Sequence, residues 1–174
     1  MTRQTMSKTI CETPRLLLRE LTDSDFDALS AVLGDPEVMR FSLRGVEDAE
    51  GVRGFLHKNS SRYARDEVGQ WAVVRRDSGS CIGVCGISMQ DVDGISEPEI
   101  GYRLARSAWG MGFATEAAAA CRDYGFQVRR FSRLISIIEA ANVRSSRVAE
   151  KIGMHPEKAT VFHGISVTVY SVRP

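Results

Sequence analysis

Hydrophobic and polar residues alternate in some parts of this chain and repeat every three to four positions in others. Seven segments are short apolar runs or alternate between apolar and polar positions, which is typical of strands. These predicted strands cover residues 15–21, 69–76, 80–89, 99–104, 134–138, 157–162 and 165–172. Four segments carry apolar residues at helical spacing and predict helices. These predicted helices cover residues 26–33, 46–65, 114–128 and 145–152.

The order of these elements indicates the class of fold. Two helices follow the first strand, and the next three strands are joined by hairpin and loop signals. The later strands are separated by helices. We therefore predict a mixed α/β (α+β) fold in which helices pack on a mixed sheet, in a single domain over residues 1–174.

Composition and charge exclude several classes of protein. With 43% hydrophobic and 26% charged residues, the balance is that of a globular chain. The 23 Lys and Arg residues nearly balance the 22 Asp and Glu residues, and a net charge of +1 offers no bulk attraction to nucleic acid. No apolar run approaches the roughly 20 residues of a membrane helix, and residues 1–12 lack the apolar stretch of a signal peptide. We expect a cytoplasmic protein that binds neither nucleic acid nor a membrane.

The cysteines and histidines indicate neither a disulfide framework nor a metal site. The cysteines are too few and too scattered for a disulfide scaffold. Cys81 and Cys85 are four residues apart on one predicted strand, which would place both on one face as small core residues. The histidines form no ligand-spaced cluster with cysteine, so no metal is expected.

A segment containing two glycines connects the predicted strand over residues 99–104 to the predicted helix over residues 114–128. Gly110 and Gly112 allow a ligand to approach the backbone closely, and the first N–H groups of a helix have no intrahelical partners. Together they predict an anion site best matched to phosphate. A dinucleotide fingerprint fails because Thr115 stands at its last glycine position, and a P-loop fails because no Lys follows Gly112. A plain tight turn is the alternative.

Three stretches of the chain carry a resemblance to a known family. Residues 109–117 read WGMGFATEA, residues 142–154 read NVRSSRVAEKIGM, and residues 13–19 read TPRLLLR. In their order along the chain, these three stretches resemble the GNAT family of N-acetyltransferases, and within it the RimJ/RimL-like branch, whose loop has the form W-G-x-G-[YF]-A-T-E-A. Met111 departs from that branch, which usually has a polar or basic residue there, although backbone amides would still bind the ligand.

The resemblance implies a GNAT-like fold, in which about four helices flank a central, mostly antiparallel mixed sheet of about six to seven strands. It also implies an enzyme that moves an acetyl group from acetyl-coenzyme A (acetyl-CoA) to a primary amine, without a metal. Amides of the glycine loop would bind the pyrophosphate, and the preceding strand and one asparagine would contact the pantetheine. The implied residues are Met111, Gly112, Phe113, Ala114 and Thr115 in the loop, Tyr102, Arg103 and Leu104 in the strand, and Asn142.

The chemistry of acetyl transfer calls for a base and an acid. An amine is largely protonated at neutral pH and must lose a proton before it attacks. The resemblance implies Glu99 as the base and Glu97 as the second candidate; a structural hydrogen bond is the alternative for Glu99. The leaving thiolate needs a proton, but the tyrosine that many members carry after the last helix is absent from residues 152–156. Ser145, which would lie near the sulfur or cap the helix, Tyr170 or solvent would then serve.

A basic stripe lies on the last predicted helix and its entry. Arg144, Arg147 and Lys151 are spaced so that they share one helix face. Because the resemblance places Asn142 beside the pantetheine, we predict that Arg147, with Lys151 as a second candidate, contacts the 3′-phosphate or the pyrophosphate of CoA. A solvated helix face is the alternative.

The acceptor and the final function class stay open at the level of sequence. The resemblance allows either a peptide N-terminus or a small-molecule amine as the acceptor, and it is compatible with a homodimer. A non-catalytic CoA-binding sensor or interaction domain is the alternative function, with the loop intact and the base absent. A plain nucleotide-binding domain is disfavoured by the failed fingerprints.

Overall fold

The elements along the chain follow the predicted order with one addition. The computed structural model describes residues 7–174, so residues 1–6 of the polar N-terminal segment lie outside the described part. The strands are β1 (Thr9–Glu12), β2 (Leu16–Arg19), β3 (Gln70–Arg75), β4 (Cys81–Val92), β5 (Ile95–Leu104), β6 (Leu134–Ile138), β7 (His155–Phe162) and β8 (Ile165–Val172). The helices are α1 (Phe26–Leu33), α2 (Ala49–Asp66), α3 (Phe113–Gln127) and α4 (Val143–Lys151).

All eight strands form one sheet in the order β1-β2-β3-β4-β5-β6-β8-β7. Neighbouring strands are antiparallel except β5 and β6, which are parallel. This confirms the mixed, mostly antiparallel sheet with four helices, and the number of strands is slightly higher than predicted. The additional strand is β1, whose four residues read TICE and carry no apolar run because only β2 pairs with them at the edge of the sheet.

The hairpin between β4 and β5 is tighter than the predicted loop over residues 91–94. Only Asp93 and Gly94 lie between the strands, both with positive φ of 53° and 79°. This is the conformation that a two-residue hairpin turn needs, and Asp91 Oδ1 accepts a hydrogen bond from the Gly94 N–H at 2.9 Å. The hairpin therefore extends both strands well beyond their predicted ends.

Two helices begin at residues set by their caps. Helix α2 starts later than predicted because Asp48 caps it and accepts a hydrogen bond from the Gly51 N–H at 2.8 Å. Helix α4 starts earlier than predicted because Asn142 is its cap and accepts from the Ser145 N–H at 3.3 Å. The alternative role of Ser145 as the helix cap is therefore wrong, since Asn142 fills it.

A bulge in β4 shows that the prediction of Cys81 and Cys85 on one face of the strand is wrong. Opposite β3, the register shifts so that Val73 faces Gly83 while Val74 faces Cys81. The extra residue in β4 reverses the alternation of side chains. Cys85 is buried on the α3 face with its Sγ 3.5 Å from Cys121 Sγ, whereas the half-buried Cys81 packs toward α1 and α2.

The sheet separates two apolar layers. Helices α3 and α4 cover one face, where fully buried residues such as Trp71 and Ile87 pack against α3. Helices α1 and α2 cover the other face, where Leu29 and Val52 pack on Ala72. Burial of both layers stabilises the sheet from its two sides. Within residues 7–174, no helix is both long and apolar enough to cross a bilayer.

Candidate active site

A cavity of about 890 Å³ opens where β5 and β6 diverge. The two parallel strands are paired only at Glu99 and Ile135. Just beyond this pair, Ser136 Oγ donates a hydrogen bond to the Ile100 carbonyl at 2.9 Å, and the pairing of the two strands ends there. The segment of β5 from residue 101 to 104 therefore has β4 on one side and the cavity on the other.

The open edge of β5 presents backbone groups to the cavity. The Ala105 N–H donates to Ile82 on the β4 side, so the alternate residues Leu104 and Tyr102 direct their backbone groups away from β4. The Leu104 carbonyl accepts a hydrogen bond from the Trp109 indole at 2.9 Å, which holds the glycine loop at the end of the strand. The Tyr102 N–H faces the gap and is available to a ligand that lies along the strand.

The glycine loop ends at the N-terminus of α3 on the wall of the same cavity. Gly110 and Gly112 have φ of 74° and 80°, which favour glycine. The Glu116 N–H donates to the Gly112 carbonyl at 3.0 Å as the first intrahelical bond. The preceding N–H groups of Phe113, Ala114 and Thr115 therefore remain for an anion. All three residues line the cavity.

Met111, which the resemblance implied as a pyrophosphate contact, lies on the outer side of the glycine loop. Its side chain is 50% exposed and it does not line the cavity. Its carbonyl instead accepts a hydrogen bond from Arg15 Nη1 at 2.8 Å. Met111 therefore shapes the outside of the loop rather than its inner wall.

Two of the three resembling stretches are joined by one carboxylate, which the sequence analysis did not predict. Glu116 accepts hydrogen bonds from Thr13 Oγ1 at 2.6 Å and from Arg15 Nε at 2.6 Å. The Arg15 guanidinium also lies 4.4 Å from the centre of the Phe113 ring. Burial raises the pKa of Glu116, but these hydrogen bonds outweigh it and hold the pKa below its usual range. This network attaches the glycine loop to β2 and keeps its conformation.

The two glutamates considered as bases have different surroundings. Glu97 forms an ion pair with Arg133 Nε at 3.0 Å and does not line the cavity. Glu99 lines the cavity and accepts a hydrogen bond from Gln90 Nε2 at 2.9 Å. Burial raises the pKa of Glu99 above its usual range, and the bond from Gln90 offsets only part of this shift. Of the two glutamates, Glu99 is the one that lines the cavity, and burial there raises the pKa of its carboxyl.

The opposite side of β5 carries a pair of hydroxyl groups. The Tyr102 hydroxyl donates to Ser145 Oγ at 3.2 Å, and both residues line the cavity. Burial raises the pKa of Tyr102 above its usual range. Asn142 and Arg147 also line the cavity, whereas Tyr170 does not. The structure thus brings together Ser145, Tyr102 and Asn142 and leaves Tyr170 outside the group.

The basic stripe on α4 divides into two environments. Arg144, Arg147 and Lys151 all line the cavity from its α4 side. The Arg144 guanidinium stacks 4.4 Å from the centre of the Trp109 ring. Arg147 is exposed. Among residues 7–174, no cluster of three His, Cys, Asp or Glu side chains could hold a metal ion.

Comparisons with known proteins agree with this geometry. A family model described as an acetyltransferase (GNAT) domain matches residues 15–155. The uncharacterized protein YkkB of Bacillus subtilis is 38% identical over 165 residues, which cover 94% of this chain and 95% of that protein. The uncharacterized N-acetyltransferase YnaD of the same organism is 33% identical over 145 residues, covering 83% of this chain and 82% of YnaD.

Solved structures with similar folds include acetyltransferases. A GNAT-family acetyltransferase from Bacillus anthracis superimposes with a TM-score of 0.81 at 27% identity, covering 93% of this chain and 96% of that one. RimL, described as a ribosomal L7/L12 alpha-N-protein acetyltransferase in complex with coenzyme A, superimposes with a TM-score of 0.79 at 20% identity. That match covers 95% of this chain and 98% of RimL, and at this identity it shows the fold alone.

Proposed function

This chain belongs to the GNAT acetyltransferase family, and we propose that it transfers an acetyl group from acetyl-CoA to a primary amine by direct attack on the thioester. One observation carries the proposal. A single cavity is lined by the N-terminus of α3, by the unpaired edge of β5 and by Glu99. These are an anion site, a strand edge and a base, in the order in which an extended acyl-CoA needs them.

The residues fit acetyl-CoA by their chemistry. The free N–H groups of Phe113, Ala114 and Thr115 suit the pyrophosphate, and Gly112, with its φ of 80°, turns the chain into α3 so that these groups border the cavity. The open edge at Tyr102 and Leu104 suits the amide groups of the pantetheine, which can pair with it like a neighbouring strand, whereas the backbone groups of Arg103 face β4, which corrects the expectation for that residue. Met111 shapes the loop, and Asn142 contributes from the start of α4.

The base in this proposal is Glu99. It receives the proton that the acceptor amine loses, either directly or through one water, and a raised pKa suits a base that works near neutral pH. The amine nitrogen then forms a bond to the acetyl carbon while the bond from that carbon to sulfur breaks. The N–H of Tyr102 is suited to stabilise the negative charge that develops on the carbonyl oxygen.

The acid is the least conventional part of the site. The leaving thiolate takes a proton, and Ser145 is the proposed donor. Its hydroxyl accepts a hydrogen bond from Tyr102, so Tyr102 can pass a proton to Ser145 as Ser145 protonates the thiolate, and Tyr102 then regains a proton from solvent in the cavity before the next turnover. This pair would take the place of the tyrosine that the family usually carries after α4.

The alternative function is a CoA-binding domain without catalysis, and one experiment separates the two. The protein is incubated with acetyl-CoA and a panel of peptide N-termini and small amines, and released thiol and acetylated product are measured. We expect thiol release that depends on the amine and equals the acetylated product. Tight CoA binding with no acetylated amine would instead establish the sensor function. As a control, the variant Thr160→Ala removes only an exposed hydrogen bond to Asp93 and should release as much thiol as the wild type.

Three finer expectations stay predictions. The RimJ/RimL-like branch rests on the sequence resemblance, since RimL is 20% identical to this chain. A cytoplasmic location and a homodimer likewise rest on the sequence. The class of the acceptor is open to a further inference from the geometry of the cavity.

A further inference from the structure

A polar trough crosses the sheet on the side of α1 and α2. In the β4–β5 register, Ser88 faces Glu99, Gly86 faces Gly101 and Val84 faces Arg103. Residues directly opposite each other in an antiparallel pair share a face, so Glu99 and Arg103 lie on one side with Gly101 between them. A Cβ on Gly101 would meet only Gln70 Nε2, at 3.8 Å. The glycine thus leaves space between a carboxyl and a guanidinium. We call this space the glycine trough.

Two arginines border the glycine trough without a carboxylate partner. Arg103 Nη1 donates to the Tyr102 carbonyl at 2.7 Å, and Arg62 Nη1 from α2 donates to Ser88 Oγ at 3.3 Å. Within residues 7–174, neither guanidinium has a carboxylate oxygen within the 4.0 Å of an ion pair, although each carries five N–H donors. Both side chains are half-buried.

The balance of charge at the glycine trough is positive. Burial lowers the pKa of both Arg62 and Arg103, which shows that water stabilises these cations less than it does at the surface. Lys58, one turn before Arg62 on α2, adds a further positive charge. Two carboxylates act on these cations: Asp66, which is already paired with Arg65 at 2.7 Å, and Glu99, whose pKa is raised by burial. Glu37 and Arg40, which also line the cavity, are exposed and of opposite sign.

We propose that the glycine trough binds the acceptor and that this acceptor carries a carboxylate close to its reacting amine, which Arg103 and Arg62 receive. The inference rests on the proposed acetyl transfer. A half-buried guanidinium without a counter-ion is costly, and a carboxylate with two oxygens matches its planar fork. Arg62 contacts Ser88, which faces Glu99, whereas Arg103 lies beyond Gly101, so the carboxylate lies over Gly101 between the two guanidinium groups and the reacting amine lies beside it toward Glu99. Free amino acids and peptides with an acidic residue near the N-terminus both present this chemistry.

The test compares matched acceptors that differ only in charge. One arm uses free amino acids and their amides, and the other uses peptides with Asp or Asn at the second position. The quantity measured is the ratio of kcat/KM for the acid to that for its neutral partner. In the wild-type protein we expect this ratio to be about tenfold or more in at least one arm, and the arm in which it appears identifies the source of the carboxylate.

Variants then assign the preference to the arginines. Arg103→Met and Arg62→Met should each lower the ratio severalfold, because each removes one guanidinium group that would bind the carboxylate. The double variant should bring the ratio to about one. Arg65→Met is the matched control, since Arg65 lies on the same helix with its side chain 70% exposed and paired with Asp66. The affinity of each variant for CoA shows that it is folded. If Arg103→Met does not fold, Arg103→Lys keeps the charge and should retain part of the ratio.

The outcomes separate this inference from the function on which it rests. Acetylation of amines with an acid-to-neutral ratio near one, or a ratio that survives in both Met variants, would overturn the carboxylate proposal and leave the acetyltransferase intact. Binding of CoA without acetylation of any amine would overturn the proposed function itself. A preference for neutral acceptors would also contradict the inference.

Discussion

Half-buried arginines occur in two settings in this molecule, and the settings differ in their partners. Arg19, with its side chain 20% exposed, is held by both oxygens of Asp25 at 2.7 and 2.8 Å. Arg133, 16% exposed, pairs with Glu97 and Glu157. Arg62 and Arg103, at the glycine trough, are half-buried as well, but among the described residues 7–174 they donate to a hydroxyl and a carbonyl and pair with no carboxylate. Where the fold alone needs a buried cation, it also supplies the carboxylate.

These two settings show how structural and functional charges can be told apart. Desolvation of a charge costs several kcal/mol, and a close counter-ion returns much of this cost. Asp25 is the counter-ion of Arg19, and this pair joins β2 to the start of α1. The arginines at the glycine trough have no such counter-ion within ion-pair distance among the described residues, so we expect a ligand to supply the negative charge. Variants on the two sides of this comparison should consequently fail in different ways.

The largest effect is expected at the paired site. Asp25→Asn leaves Arg19 half-buried without a counter-ion, and the free energy of unfolding should fall by about 3 kcal/mol in urea titrations at neutral pH. Burial raises the pKa of Asp25, but the hydrogen bonds from Arg19 and Thr22 outweigh it, so the pKa lies below its usual range. The stability that Asp25 contributes is therefore present at neutral pH and is lost as the pH falls through its lowered pKa.

The control for this prediction is the exposed pair between Arg75 and Asp77. Asp77→Asn should leave the urea midpoint nearly unchanged because solvent screens that pair. Equal losses in the two variants would mean that burial does not set the value of these pairs, and the comparison would fail.

The next effect is expected in turnover rather than stability. Glu99→Gln removes the proton acceptor, and kcat should fall by about 100-fold, or roughly 2.7 kcal/mol in barrier height. Because burial raises the pKa of Glu99 in the folded state, its stabilising contribution is present at acid pH and is lost as the pH rises through that pKa. The variant should therefore be at least as stable as the wild type at neutral pH.

The pH profile sharpens this second prediction. The wild-type kcat/KM should fall on the acid side as Glu99 becomes protonated, and the Gln variant should lose that limb. A variant that keeps its rate but unfolds more easily would assign Glu99 to the structural hydrogen bond with Gln90 instead.

A smaller effect is expected at the glycine loop. Gly112 has a φ of 80°, and an added Cβ would meet Arg15 Nη2 at 3.3 Å. Gly112→Val should weaken CoA binding by about tenfold, or roughly 1.4 kcal/mol, in isothermal titration. Gly164→Val is the matched control, because Gly164 has the same φ of 80° in the β7–β8 turn with no atom within 4 Å of its added Cβ. If both variants bind CoA equally well, the loop does not hold the pyrophosphate.

The smallest effect is expected on the exposed face of α4. Arg147→Ala should weaken CoA binding by about 1 kcal/mol at low salt, since exposed ion pairs are weak and screened. Binding of the 3′-dephospho form should hardly change if Arg147 contacts the 3′-phosphate. Equal weakening of both ligands would move the contact to the pyrophosphate, and no change in either would mark a solvated surface.

Much of the fold was predictable because local pattern and tertiary packing agree. The bounds of β6 and β8 match the predicted ranges over residues 134–138 and 165–172, where apolar runs are short and clearly bounded. The end of β4 and the start of β5 were not predictable from hydrophobicity, because these residues pair in a half-exposed hairpin. The bulge near Cys81 is likewise a property of two strands together.

Residues of the candidate site were predictable where they belong to a sequence motif. They were not predictable where a contact with a residue distant in the sequence determines their role. The anion site of the glycine loop came from its residue types, and Glu99, Asn142 and Ser145 came from the resemblance to the GNAT family. All of these residues except Met111 of the loop line one cavity. The choice between Glu99 and Glu97 depends on Arg133, which is 36 residues from Glu97 in sequence. The role of Arg62 depends on which helix crosses the sheet. Only the assembled structure contains such information.

We propose that the gap beside β5 holds acetyl-CoA with its acetyl group directed toward Glu99. A crystal structure of the protein with an unreactive thioether analogue of acetyl-CoA would show whether it does. We expect pyrophosphate oxygens about 3 Å from the backbone nitrogens of Phe113, Ala114 and Thr115, and a carbonyl oxygen at similar distance from the Tyr102 N–H. An analogue bound with its pyrophosphate away from the start of α3, or with its acetyl group outside the gap, would disprove this binding mode.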